Sequence, residues 1–453
     1  MRLFDSGFVW GTGTSSFQIE GAPDAGGREP SIWDDFCAVP GAIANGDDGR
    51  PGVGHVERWA EDVALLAGLG CPAYRFSVSW SRVLRADGSV NAVGMDFYSR
   101  LVDGLLAAGI EPWLTLYHWD LPSSLPGGWL HRDTAARFAD YALAVHGRLG
   151  DRVRQWTTLN EPWCSAMLGY GSGDHAPGRR SVREAFVATH HLLLAHGLAV
   201  TALREAGAGG VGITLNHTPG VPADPADAAD VDAVRRVDGT GLRVFADPLF
   251  RGAYPRDVVE DAGADWPADV IADGDLATIS APVDFLGINF YATQQLRAGL
   301  SGAPAASSPH VTAPAAVAVP RGLPMTAMGW EIDPDGLRAL LVRLRREYAP
   351  EGVDLYVTEN GAAFDDRPGP DGAVHDADRI GYVREHLRAV ARANAEGAGV
   401  RGYFLWSLLD NFEWAYGYDR RFGIVRVADD LARVPKDSAR WYSRVIASGD
   451  PDA

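Results

Sequence analysis

Arg154-Gln155-Trp156-Thr157-Thr158-Leu159-Asn160-Glu161-Pro162-Trp163 is the stretch on which the fold turns. Its first part, Arg154–Leu159, is a short run rich in β-branched and aromatic side chains and reads as a buried strand. Asn160 and Glu161 follow at its end, before Pro162. Comparable runs occur at Phe8–Thr14, Ala73–Ser79, Glu111–Tyr117, Val211–Asn216, Val283–Phe290, Asp354–Thr358 and Gly402–Ser407. Longer stretches lie between them, with apolar residues recurring at three and four: His55–Leu69, Asp96–Ala108, Asp133–Leu149, Val182–Ala206, Pro334–Tyr348 and Asp376–Glu396. Strands that alternate with helices form parallel βαβ units, and eight such units close into a (β/α)8 TIM barrel. The α/β chain is therefore read as one domain over 1–453, with elaborated loops at the C-terminal face of the strands.

A barrel puts the C-terminal ends of all its strands on one face, so the residues there should converge. They are Gln18, Arg75, His118 and Trp119, Asn160 and Glu161, Asn216, Asn289 and Tyr291, Glu359 and Asn360, and Trp406. One polar residue at a strand end means little, because strand ends meet solvent. The same feature on almost every strand means more. Glu161 and Glu359 each follow a strand, the fourth and the seventh. A barrel mouth can hold two such carboxyl groups about 5–5.5 Å apart, the spacing that double-displacement cleavage of a glycosidic bond requires.

Composition removes the competing classes. The 453 residues are 46% hydrophobic and 22% charged, values typical of a folded globular chain. A net charge of −18 disfavours nucleic acid and anionic membrane surfaces as partners. Cys37, Cys71 and Cys164 are widely spaced with no C-x-x-C pair, which suits a reducing cytoplasm. The start of the chain has neither a charged n-region nor an apolar h-region, so neither export nor anchoring is expected. Lys436 is the single lysine among 41 basic residues, which leaves little room for amine nucleophiles or a phosphate-binding lysine. Gly11-Thr12-Gly13 resembles the start of a dinucleotide fingerprint but has Ser16 at the third glycine position. His190 and His191 lack metal-ligand spacing and read as helix packing. No metal or organic cofactor is expected. The fourteen Trp, fourteen Tyr and sixteen Phe mostly belong to the core, yet flat faces with a polar edge also suit sugar rings.

Several long motifs in order carry a resemblance. They are Phe8-Val9-Trp10-Gly11, Gln18-Ile19-Glu20-Gly21, Tyr74-Arg75-Phe76-Ser77, Thr115-Leu116-Tyr117-His118-Trp119-Asp120-Leu121-Pro122, Thr157 to Trp163, Tyr356-Val357-Thr358-Glu359-Asn360-Gly361 and Trp406-Ser407-Leu408-Leu409-Asp410-Asn411-Phe412-Glu413-Trp414. The chain resembles the β-glucosidases of glycoside hydrolase family 1 over nearly its whole length. The resemblance implies a retaining exo-β-glycosidase with Glu359 as nucleophile and Glu161 as acid/base. Gln18, His118, Trp119, Asn160, Asn289, Tyr291, Trp406, Glu413, Trp414 and Phe422 would then bind the sugar. Trp330 would wall the aglycone side, with Asn216, Cys164 and Met167 as weaker candidates. Arg75 would sit beside the nucleophile and keep it ionised, and Tyr291 would donate to it. Apolar burial and the negative charge of Glu359 should raise the pKa of Glu161. Asn160 is placed to donate to the sugar 2-hydroxyl and Glu413 to accept from two hydroxyls.

A carboxylate at Glu413 would repel a sugar phosphate, and an intact Glu161 favours ordinary O-glycosides. The expected substrates are short β-glucosides and the cello-oligosaccharides of cellulose degradation, with transglycosylation as a side reaction. A β-galactosidase or β-fucosidase on the same site is one alternative, and a catalytically silent sugar-binding barrel is another. Departures from the family pattern fall at Val53-Gly54-His55-Val56-Glu57-Arg58, Val244 and Asp333. Residues Gly299–Leu323, rich in Ala, Pro and Ser, read either as a mobile loop bordering the pocket or as a surface linker. Cys164 is read as a buried neighbour of Trp163 rather than a reactive thiol.

Overall fold

A computed structural model describes residues 3–299, 308–370 and 372–453. Eight parallel strands close a barrel: β1 (Val9–Gly13), β2 (Ala73–Ser77), β3 (Glu111–Tyr117), β4 (Gln155–Asn160), β5 (Gly210–Asn216), β6 (Phe285–Asn289), β7 (Asp354–Asn360) and β8 (Val400–Trp406). Their order around the wall is β1-β8-β7-β6-β5-β4-β3-β2, each strand beside its sequence neighbour, with β8 returning to β1. This is the TIM barrel expected from the alternation of runs. The strands were legible because each is buried on both faces, toward the interior and toward the helices, and so reads as a continuous apolar run.

The expected helices are found at His55–Gly68, Ala92–Ala107, Asp133–Leu149, Val182–Glu205, Pro334–Glu347 and Ala377–Ala395. The second begins four residues earlier than its apolar periodicity suggested. Its first turn includes Gly94, whose bare Cα packs on the Arg82 carbonyl: a Cβ there would lie 2.0 Å from that oxygen. Helix Val182–Glu205 has a mean hydropathy of 1.4 over its most apolar window, and 83% of that window is buried in the packing. Asp333 caps helix Pro334–Glu347 by accepting from the Gly336 N–H at 3.2 Å, which gives this departure from the family pattern a structural role.

Two interior layers set the floor of the site. Trp113 of β3 meets Phe285 of β6, Tyr356 of β7 and Phe404 of β8 edge-on, with ring centroids 4.8 to 5.1 Å apart. Strands that are not neighbours can bring side chains together only through the barrel interior, so this aromatic group plugs it. Nearer the strand ends the interior turns polar, beginning with Arg75. Of the loop at 299–323, residues 300–307 lie outside the described residues. Val317–Ala318 pairs antiparallel with Gln294–Arg297, and Ala318, Val319 and Pro320 line the large cavity above the barrel.

Candidate active site

The cavity at the C-terminal face of the barrel has a volume of about 1100 Å³. Glu161 and Glu359 both line it, with His118, Trp119, Tyr291, Trp330, Trp406, Glu413, Trp414 and Phe422. Gln18, Arg75, Asn160 and Asn289 are absent from the lining and lie fully buried beneath it. Gln18, expected among the sugar-binding residues, lies directly under this floor. Both of its amide hydrogens are used, by Asn411 Oδ1 at 3.0 Å and the Phe412 carbonyl at 2.8 Å. Its visible task is to hold the segment that leads to Glu413.

Glu359 was expected just after its strand but lies within it. A register shift between Val357 and Glu359 brings it opposite Asn289. Two residues on, Gly361 is obligatory: a Cβ would meet the Trp406 carbonyl oxygen at 1.7 Å, so only glycine lets β7 and β8 end side by side. Glu359 Oε1 accepts from Arg75 Nη1 at 2.6 Å and Oε2 from the Tyr291 hydroxyl at 2.6 Å. Both oxygens are thus fixed.

Glu161 closes β4 with φ at +46°, its N–H donating to the Thr214 carbonyl at 2.9 Å. Trp119 and Trp414 also have positive φ, +79° and +50°. For bulky residues this conformation costs of order 1–3 kcal/mol each, so the surrounding packing must impose it. Glu161 Oε1 accepts from Asn289 Nδ2 at 2.7 Å, and Oε2 accepts from the Cys164 thiol at 3.1 Å. Cys164 is thus more than a neighbour of Trp163: it is a partner of the acid at i+3, and burial raises its own pKa well above the ordinary thiol range.

The two carboxylates have different electrostatics. Burial, then the nearby charge of Glu359, pushes Glu161 up to about 8, and no cation is hydrogen-bonded to it to reverse this. Those are the causes the sequence reading named. Glu359 is raised by burial as well, while the Arg75 charge and the Tyr291 hydrogen bond pull it down. Arg75 and Tyr291 stand beside the nucleophile as expected, and they oppose the effect of full burial without overcoming it. Glu413 is pushed up to about 8 by burial and then by Glu359 and Glu161, and among the described residues its side chain has no hydrogen-bond partner. Burial and the Arg75 charge hold His118 well below its usual range, so it is neutral.

Asn160 gives its carbonyl oxygen to Arg75 Nη2 at 2.5 Å and Asn289 Nδ2 at 3.1 Å. Its amide nitrogen lies 3.1 Å from His118 Nε2. Trp406 and His118 lie nearly parallel, 5.8 Å apart. Trp330 and Phe422 pack around Tyr291 on the other wall.

A family model described as glycosyl hydrolase family 1 matches residues 1–450. The chain belongs to glycosyl hydrolase family 1. It is 50% identical over 464 residues to a bifunctional β-D-glucosidase/β-D-fucosidase from Bifidobacterium breve, covering 98% of each chain. Among solved structures it is similar to a psychrophilic β-glucosidase from Micrococcus antarcticus, with a TM-score of 0.95 and 48% identity over 99% of this chain and 98% of the other. It is also similar to a β-glucosidase from Thermotoga maritima in complex with castanospermine, with a TM-score of 0.93 and 43% identity over 99% of both chains.

Not every polar strand end of this family 1 barrel points into the mouth. Asn360 Nδ2 donates to the Phe290 carbonyl at 2.6 Å and lies 3.0 Å from the Tyr382 hydroxyl, so its role is to tie β7 to its surroundings. Trp119 lines the cavity, but its indole N–H is taken by the Asn160 carbonyl at 3.0 Å, which leaves its ring as the available surface. Asn216 and Cys164 line the cavity, whereas Met167 is buried in the π-helix Cys164–Ser172 and is not part of its lining. His190 and His191 bond Asp275, Tyr254 and the Trp129 carbonyl, a packing role.

Proposed function

We propose that the protein is a retaining β-glucosidase that removes terminal non-reducing β-D-glucosyl residues from short β-glucosides. The observation that carries this is the pairing of two buried carboxylates in unequal environments: Glu359 clamped by a guanidinium and a phenol, Glu161 by an amide and a thiol. The Asn289 amide that bonds Glu161 also lowers Glu359. Asn289 Nδ2 donates to Glu161 Oε1 and to Asn160 Oδ1, and Asn160 Oδ1 also accepts from the Arg75 that holds Glu359, so one hydrogen-bonded network joins the two carboxyl groups at a single cavity, as double displacement needs.

In the first step Glu359 forms a bond to the anomeric carbon as the bond to the leaving oxygen breaks, and the Glu161 proton passes to that oxygen. Once Glu359 is an ester its charge is gone, the pKa of Glu161 falls, and Glu161 accepts a proton from the water that attacks C1. An alcohol in place of water gives transglycosylation. Glu413 accepts from sugar hydroxyls, Trp406 provides the platform, and Asn160 has an amide hydrogen left for the 2-hydroxyl, a contact that strengthens as oxocarbenium character develops. Cello-oligosaccharides from cellulose degradation are the natural substrates that belong to this reading. The thiol beside Glu161 must stay reduced to donate, which supports a cytoplasmic setting.

Purified protein assayed on chromogenic β-D-glucoside, β-D-fucoside, β-D-galactoside and 6-phospho-β-D-glucoside should turn over the glucoside and leave the phosphorylated sugar untouched. No turnover of any of them would leave a silent sugar-binding barrel as the reading. A second specificity, for β-D-fucosides, is favoured by the likeness to the bifunctional β-D-glucosidase/β-D-fucosidase of Bifidobacterium breve. A fucoside rate comparable to the glucoside rate would establish it.

A further inference from the structure

Lys436, the single lysine among 41 basic residues, is completely buried. Its Nζ donates to Asp366 Oδ2 at 2.5 Å and to Asp410 Oδ1 at 2.8 Å. These two aspartates belong to different parts of the site. Asp366 lies seven residues beyond Glu359, on the segment leaving β7. Asp410 lies four residues beyond Trp406, at the root of the segment that carries Glu413, Trp414 and Phe422.

Each aspartate is anchored a second time. Asp366 Oδ2 also accepts from Arg379 Nη2 at 2.7 Å, and the same nitrogen donates to the Arg421 carbonyl at 2.7 Å. Asp410 Oδ1 also accepts from the Gly423 N–H at 3.0 Å, next to Phe422. Directly after Asp410, Asn411 and Phe412 receive both amide hydrogens of Gln18. Among the described residues the side chain of Glu413, which follows, has no hydrogen-bond partner, so its pose depends on this backbone. An ammonium suits position 436: Arg379 already holds Asp366, and a compact donor reaches both aspartates from one nitrogen, whereas a guanidinium spreads its N–H groups over a plane.

We propose that Lys436 is a positioning residue of the sugar site, joining the segment after the nucleophile strand to the segment that bears Glu413 and Phe422. The inference rests on the glycosidase reading above. It assigns to Lys436 the binding of the non-reducing sugar and not the acid-base chemistry of Glu161 and Glu359, which lie outside its contacts.

The test uses the full chain with Lys436→Met, of similar length and uncharged, and Asp410→Asn, which keeps volume. Both are assayed on aryl β-glucosides for KM, kcat, the pH profile and inhibition by free glucose. For both variants KM and the glucose inhibition constant should rise about tenfold, the scale of one lost buried hydrogen bond. The limbs of the pH profile should stay in place, and kcat should change less than about threefold. Unchanged KM and glucose inhibition in a folded variant of lower Tm would make Lys436 purely structural and overturn the proposal. So would a moved pH limb or a collapse of kcat at unchanged KM. If Lys436→Met does not fold, the Asp410→Asn values decide by the same criteria. An inactive wild-type protein would instead refute the glycosidase reading.

Discussion

The Arg75 guanidinium donates to Glu359 Oε1 at 2.6 Å and, with its other terminal nitrogen, to Asn160 Oδ1, but makes no hydrogen bond to Glu161 among the described residues. Glu161 takes its hydrogen bonds from neutral groups, the Asn289 amide and the Cys164 thiol. This asymmetry separates the two carboxyl groups: one has a permanent positive charge to stabilise its anion, and the other has its charged form disfavoured by burial and by its neighbour. It assigns nucleophile and acid without reference to any relative.

Removing each acid should give a different product. Glu359→Gly should lose hydrolysis of aryl β-glucosides by about 10⁴-fold or more, since the residue acts in a covalent step. Added azide should then attack C1 from the emptied face and give the inverted glycosyl azide. Glu161→Ala still forms the ester with a good leaving group, and azide should trap it as the retained product. Product stereochemistry by proton NMR checks both, and the opposite pattern would exchange the roles.

The pH profile follows from the same asymmetry. The first step needs Glu359 as the anion and Glu161 as the acid. Activity should therefore fall as pH drops through the Glu359 pKa and again as pH rises through that of Glu161, about 8. Glu161→Gln, assayed with a substrate whose leaving group needs no proton, should keep the acid limb and lose the alkaline one. A surviving alkaline limb in that variant would show that another group sets it.

Neighbouring donors should move these limbs in a stated direction. A hydrogen bond given to a carboxylate favours its charged form, so its removal raises the pKa. Tyr291→Phe deletes the donor to Glu359 Oε2 and should shift the acid limb to higher pH. Asn289→Ala deletes the donor to Glu161 Oε1 and should shift the alkaline limb to higher pH. Each shift should be about one pH unit, roughly 1.4 kcal/mol. A shift downward in either variant would contradict the assigned hydrogen bonds.

The barrel was legible because its strands are buried on both sides and alternate with amphipathic helices, and the motif residues followed from their place at strand ends. The errors arose where tertiary geometry overrides strand order. The register shift that draws Glu359 into β7 leaves no trace in the local pattern. Asn360 has the residue type of a sugar site, yet its amide is consumed by a backbone carbonyl that only the folded loops bring near. The Cys164 contact arises from i to i+3 spacing at the start of a π-helix, a helix type that apolar periodicity does not announce. Lys436 stood out only by its rarity. Its two aspartates are 70 and 26 residues away in the chain, so its buried bridge could be seen only in three dimensions.

Glu413 should trade stability for binding. Its folded pKa is raised from the ordinary 4.5 to about 8, so between those values the folded chain keeps a proton that the unfolded chain releases. Stability from this group is complete below about 4.5 and is lost as pH rises toward 8, because the folded state binds the extra proton. Glu413→Gln has no charge to bury. It should therefore match the wild-type Tm near pH 4 and exceed it near pH 8, where its unfolding free energy is larger by about a few kcal/mol at most. The same variant puts an amide nitrogen, which can only donate, where a carboxyl oxygen accepts from the sugar hydroxyls, and kcat/KM for β-glucosides should fall about 10–100-fold. Thermal unfolding at the two pH values, with kinetics on the same samples, checks both effects. An equal Tm gain at both pH values would mean that the burial of the Glu413 charge is not its source.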